Sequence, residues 1–326
     1  MNEKKMALIA IAIVIPLAML WVAYSGGLLP KLTTSPGNGS PTNNNSNSIT
    51  AQSPVGNPKH PTTAKVVASF FPLYDFAKHV GGNKVNVTTM VPLGVEPHDW
   101  EPTPQQIQNL LSADLFVYNG AGIDKWSDKI ETRLKVNASE GLPLLTDNQG
   151  KHDPHTWLDP VLAKRQVELI RNGLIKADPQ NTDYYIQNAQ SYIAQLDSLD
   201  AKIKSELSNC TKTDFIAFHS AFSYFSKRYG LHQHTILGQD PEGEIQPQTL
   251  EQLVNLAKQY GIHIIYSEDL LDPREAQAIA NEIPNGKVLV LSPIEGVKAD
   301  EQHTGIGYLE KMQQNLENLK VGLECK

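Results

Sequence analysis

Between Asp178 and Asn209 the chain carries one long helical pattern. Tyr185, Ala189, Tyr192, Leu196, Leu199, Ile203 and Leu207 recur at spacings of three and four, which places them on one apolar stripe. Asp178-Pro179 or Asn181 opens the helix and Ser208-Asn209 closes it. At 1.5 Å per residue such a helix is roughly 40 Å long, enough to run the height of two lobes. The stripe also suits a coiled-coil dimer seam, although the opposite face lacks strong flanking charge pairs.

The flanks of this helix decide how it is used. Before it, Lys65–Phe70, Val85–Met90 and Leu115–Tyr118 read as strands. Helices are expected around Leu73–Val80 and from Pro104 through Leu111, with Thr103 as cap. After it, strands are expected at Asp214–Phe218, His263–Tyr266 and Lys287–Leu291, and helices at Phe222–Tyr229, Leu250–Tyr260, Pro273–Glu282 and Gly305–Leu323. Alternation of this kind implies βαβ units and parallel sheets. The expectation is an α/β fold of two lobes, 64–177 and 210–326, each a mainly parallel sheet flanked by helices. One rigid backbone helix, 178–209, joins them, with a ligand cleft between.

The N-terminal part is different in kind. Met6–Tyr24 is an uncharged apolar run behind Lys4 and Lys5, long enough to span a bilayer with the remainder outside. Residues 1–25 are therefore expected to act as a signal anchor or a cleaved signal peptide. No cysteine lies near the run, which speaks against a lipid anchor. Residues 26–63 are Gly-, Ser-, Asn-, Thr- and Pro-rich and read as a flexible linker. Asn38 and Asn44 sit in Asn-x-Ser patterns. A net charge of -7 argues against a nucleic-acid partner. Two cysteines, Cys210 and Cys325, make neither a disulfide framework nor a thiolate zinc site. In an exported protein they are expected to bridge the start of the second lobe to its end.

Chemistry concentrates at strand ends and stiff turns. Asp153-Pro154-His155-Thr156-Trp157-Leu158-Asp159-Pro160 frames a histidine with two Asp-Pro corners, Asp159 capping a helix that begins at Pro160. His98 lies in the proline-rich turn after the second strand, His219 directly after Phe218, and Glu295 after the last strand. Three imidazoles and a carboxylate are ordinary tetrahedral ligands for Zn²⁺, and three nitrogens favour zinc over Mg²⁺, Ca²⁺ or Mn²⁺. Rivals for the fourth place are Glu268, Asp269, Glu242 and Glu244; His152 is a weaker candidate for assisting capture. Trp100 and Trp157 each stand two residues beyond a candidate ligand, as walls or as packing.

Three of these segments carry a resemblance. Pro97-His98-Asp99-Trp100-Glu101-Pro102-Thr103-Pro104, the Asp153–Pro160 stretch, and Phe218-His219-Ser220-Ala221-Phe222-Ser223-Tyr224-Phe225 stand in order. They resemble the motifs of the extracytoplasmic solute-binding proteins of zinc and manganese ABC transporters, the ZnuA/TroA-like or cluster A-I type. The resemblance spans about Lys65 to Leu323 and implies two lobes, a rigid connecting helix and one metal in the cleft. A permease and an ATPase are the expected partners and a monomer the expected state, and the absence of a His-Glu-x-x-His helix, with a fourth protein ligand closing the site, argues against an enzyme. Pro293-Ile294-Glu295-Gly296 is similar to the pattern in which some zinc members place their fourth ligand, and His219 stands where the manganese branch has a carboxylate. The acidic, histidine-rich loop of many zinc members is absent; only Lys151-His152 precedes the second motif. The expected ligands are His98, His155, His219 and Glu295, with Zn²⁺ as cargo and Mn²⁺ or iron as the alternative. A zinc hydrolase and a surface adhesin on the same fold are the rival functions.

Overall fold

The computed structural model describes residues 63–147, 150–241, 243 and 245–326. The expected anchor, residues 26–62 and the Asn38 and Asn44 patterns lie outside the described residues, as do Glu242 and Glu244. Among the described residues no helix is long and apolar enough to cross a membrane.

Two four-stranded sheets form, all parallel, with the same strand order. The first holds β1 (Ala64–Ala68), β2 (Val85–Thr89), β3 (Leu115–Tyr118) and β4 (Lys135–Asn137), in the order β2-β1-β3-β4. The second holds β5 (Asp214–Ala217), β6 (His232–Thr235), β7 (Ile264–Ser267) and β8 (Lys287–Val290), in the order β6-β5-β7-β8. In each sheet the chain steps to one side of the first strand and then crosses to the other. The crevice beyond the carboxyl ends of β1 and β3, or of β5 and β7, is where such folds hold ligands.

Strands β4 and β6 were not expected from the sequence. Lys-Val-Asn and His-Gln-His-Thr are edge strands, which bury little and so carry no apolar run. The helices match more closely: α1 (Phe71–Gly81), α2 (Pro104–Leu111), α3 (Pro160–Ala177), α4 (Thr182–Leu207), α5 (Ser223–Tyr229), α6 (Pro247–Tyr260), α7 (Arg274–Asn281) and α8 (Tyr308–Gly322). Thr103 caps α2 in a capping box with Gln106.

Helix α4 runs 26 residues, and its buried side chains are the predicted stripe from Tyr185 to Leu207. The stripe packs on α1 and α3 of the first lobe and on α8 of the second, so it is covered within the chain and offers no coiled-coil seam. Burying each large apolar side chain contributes about 1.5–3 kcal/mol. One continuous core runs from Val66 through Tyr192 and Leu199 to Met312 and Leu316, tying both sheets to the same helix. Cys210, just past α4, is disulfide-bonded to Cys325, as expected.

Candidate metal centre

His155 sits in the turn between two proline-fixed corners. Asp159 Oδ1 accepts from the Val161 amide at 2.9 Å and starts α3. Asn119, at the end of β3, donates from Nδ2 to the Pro154 carbonyl at 3.0 Å. Buried Gln166 bridges Asn119 Oδ1 at 3.2 Å and Thr156 Oγ1 at 3.1 Å. The second lobe grips the same turn. Tyr224 Oη donates to the Asp153 carbonyl at 2.7 Å, Tyr308 Oη donates to the Trp157 carbonyl at 2.5 Å, and Arg228 pairs with Asp159. His155 Nδ1 donates to Asp153 Oδ1 at 2.7 Å. That fixes the ring and turns Nε2 toward the cleft.

His219 follows β5 directly. Its backbone amide donates to Glu268 Oε1 at 3.1 Å, and its Nδ1 donates to the same oxygen. Glu268 therefore stands behind His219 as its acceptor, and is not in the cluster where it was weighed as a rival ligand. Asp269 is turned to Lys311 Nζ at 2.8 Å and to Ser292 Oγ at 2.9 Å. His152 is exposed, bridged to Thr146, and outside the cluster.

Glu295 reaches the cleft on a strained loop. Ile294 has a φ of 59°, the left-handed region that a β-branched residue avoids. The conformation is over-determined by its neighbours. Ser292 Oγ accepts from the Ile294 amide at 3.1 Å, Asn315 brackets Ser292, and Trp157 Nε1 donates to the Pro293 carbonyl at 2.7 Å. At Gly296 a Cβ would meet the tip of the Leu270 side chain at 2.9 Å, so a larger residue would require Leu270 to shift.

His98 comes from the turn after β2, its amide donating to Glu96 Oε1 at 3.1 Å. About its side chain 8% remains accessible, against none for His155, His219 and Glu295.

One donor atom from each of His98, His155, His219 and Glu295 lies within 4.8 Å of every other. His155 Nε2 is 3.3 Å from His98 Nε2 and 3.2 Å from His219 Nε2. Glu295 Oε1 is 3.1 Å from the Nε2 of both His98 and His155, and 3.8 Å from that of His219. Ligand arms of 2.0–2.1 Å around a tetrahedral Zn²⁺ give edges of about 3.3 Å. Five measured edges thus lie close to that value or half an ångström beyond it. His155 and His219, backed at Nδ1 by Asp153 and Glu268, turn their Nε2 atoms toward one shared point, which a proton can hold in the empty protein and a cation in the loaded one. Glu295 Oε2 is buried without a partner, a spare ligand atom beside the same point. The donor set fits a divalent transition ion.

Electrostatics agree. Burial would raise the Glu295 carboxyl, but His98, His155 and His219 hold it well below the usual carboxylate range. Burial would lower His155, but Asp153 and Glu295 outweigh it and push the ring up to about 9. Burial, with the Glu295 charge next, pushes Glu96 up to about 11. Trp157 is fully buried with its ring 5.2 Å from that of His155, so it is a wall of the centre. Trp100 packs edge-on against Trp126 within the first lobe.

A two-lobed α/β body with a buried His₃Glu cluster between its sheets defines a metal-binding protein of the solute-capture kind. Residues 66–322 match the model of the ZnuA family, the periplasmic component A of a zinc-uptake complex, and the chain belongs to that family. It is 38% identical over 281 residues to the high-affinity zinc uptake system protein ZnuA of Bacillus subtilis, covering 80% of this chain and 88% of that one. Among solved structures it is similar to the metal-dependent lipoprotein YcdH of Bacillus subtilis, with 40% identity, a TM-score of 0.73, and 80% and 99% of the two chains covered. The Zn(II)-bound ZnuA-like domain of Streptococcus pneumoniae AdcA gives 32% identity, a TM-score of 0.73, and coverage of 81% and 100%. The chain spans 55% of the length of a full-length Streptococcus pyogenes AdcA that it also matches.

Proposed function

We propose that this protein captures Zn²⁺ on the outer side of the cytoplasmic membrane, through His98, His155, His219 and Glu295, and delivers it to the permease and ATPase of an ABC transporter. The convergence of these four donor atoms from both sheets carries the reading. Three nitrogens and one oxygen select zinc over the oxygen-preferring Mg²⁺, Ca²⁺ and Mn²⁺. With Asp153 and Glu268 behind the rings, three carboxylates face the two charges of the ion, so desolvating it is offset locally. Four protein ligands leave no open position where water could be activated, which favours a carrier over a hydrolase. Helix α4 shares its core with both lobes and resists wide opening, so release needs only a small displacement of ligands. Met6–Tyr24 would hold the protein at the membrane and residues 26–63 would act as its tether.

Metal content and competition with a chromogenic chelator test the reading. The expected result is one tightly held Zn²⁺, displaced by neither Mn²⁺ nor Mg²⁺, and lost in a His155→Ala, His219→Ala double variant. Tight zinc retained in that variant, or Mn²⁺ outcompeting Zn²⁺, would sink it.

A further inference from the structure

Two histidines and an aspartate, side chains of types that can ligate a metal, lie together on the outer edge of the second sheet. His232 and His234 stand two apart on β6, so their side chains leave the same face of the strand. Gln233 between them points the other way: its Oε1 accepts from the Phe222 amide at 2.6 Å and its Nε2 donates to Ser220 Oγ at 3.2 Å. Asp214 is the register partner of His232 on β5. Its carboxylate sits between the two rings, with Oδ1 2.8 Å from His234 Nε2 and Oδ2 3.5 Å from His232 Nδ1. Thr213 Oγ1 donates to Asp214 Oδ2 at 3.0 Å and so orients it.

The three groups line a groove of about 750 Å³ that opens to solvent, together with Lys227 and Tyr260. The His232 side chain is 68% accessible, that of His234 25% and that of Asp214 16%. His232 is therefore free to swing its ring toward the carboxylate and close a chelate, while the other two are already placed by the sheet. Two nitrogens and one oxygen suit a borderline divalent transition ion, and the remaining positions are left to water. Asp214 opens β5 and His219 follows its far end, so at about 3.3 Å per residue this group lies roughly 16 Å from the cleft. It shares no ligand with the four residues there.

We infer that His232, His234 and Asp214 form a second, surface-exposed site for a divalent transition cation such as Zn²⁺ or Ni²⁺. It binds more weakly than the cleft, because it supplies three protein ligands and must order one exposed ring. Its water-filled positions make exchange fast. It does not depend on the assignment of the cleft.

The test is a titration of the metal-free full-length chain with Zn²⁺ by equilibrium dialysis. The expected result is two bound ions per chain, one tight and one weak. His232→Gln with His234→Gln removes the weak ion and leaves the tight one. His98→Ala with His155→Ala removes the tight one and leaves the weak. Replacing the exposed His152 and His303 by glutamine is the control, and it leaves both. The substituted side chains on β6 are on an edge strand, and an unchanged thermal melt shows that the fold is intact. A weak ion that persists in the β6 variant, or that disappears only in the control, overturns the proposal, as does a wild-type chain that binds a single ion.

Discussion

The four residues proposed to hold the ion are of two kinds. His155 and His219 are inaccessible, and each has a carboxylate fixed behind its Nδ1. His98 keeps a sliver of solvent contact, and Glu295 keeps an unpartnered oxygen. One half of the proposed tetrahedron is thus braced by carboxylates behind its rings, and the other half is held differently, His98 by its turn and Glu295 by its strained loop. The braced half consists of one residue from each lobe, so rigidity here follows from backing carboxylates and not from membership of one lobe. The other half has the same one-from-each composition.

Removing a braced ligand is expected to cost most. Total zinc binding of about 10–16 kcal/mol spread over four ligands implies roughly 3 kcal/mol each, or about a hundredfold to a thousandfold in affinity. His155→Ala and His219→Ala should each show this loss in chelator competition. Similar losses for all four ligands would erase the distinction drawn here.

A pH series should separate the empty and loaded protein. The His155 pKa is raised to about 9 in the metal-free fold, above the usual 6.5 of an imidazole. Its contribution to metal-free stability is therefore fully present below about pH 6.5 and lost as pH rises through 9, on the order of 3 kcal/mol. Zinc affinity runs the other way over the same window, because the ion must displace that proton. Denaturant melts of the empty protein and affinities measured from pH 6.5 to 9 should thus slope in opposite senses. Parallel slopes would remove His155 from the site.

The backing carboxylates should matter at the next level. Asp153→Asn and Glu268→Gln are each expected to weaken zinc binding by about 10–100-fold without unfolding the chain. The smallest effect among the ligands is expected at His98→Ala, about tenfold, because water can reach the vacated place. The dissociation rate, followed by stopped-flow transfer to a chelator, should rise less in that variant than in His155→Ala. A faster release from His98→Ala than from His155→Ala would reverse the roles of the two halves.

Much of this was legible in the chain. The stripe on α4 and the alternation on either side follow from periodicity, a local property, and the four proposed ligands from Asp-Pro corners, strand ends and the resemblance of their segments to family motifs. What could not be read depends on contacts distant in sequence. Glu268 shares a strand end with the ligands, and only the fold shows that it faces the back of His219. Ile294 adopts its left-handed backbone because Trp157 and Asn315 hold the loop, and nothing in Pro-Ile-Glu-Gly announces that. Strands β4 and β6 are polar edges, where pairing is set by the neighbouring strand and not by apolar burial. The Ser267-Glu268-Asp269 run at the end of β7 was the available signal for the supporting acid, and it pointed to the right place with the wrong role.

The bond between Cys210 and Cys325 turns the whole second lobe into a closed circuit, with β5 to β8 and α8 strung between its two sulfurs. A protease that nicks one of its outer loops would therefore release no fragment, and the severed halves would stay beside the foot of α4. An unfolded molecule that keeps the bond carries its last helix back to the place where that helix must dock. Reassembly then begins from a loop already fastened at its neck.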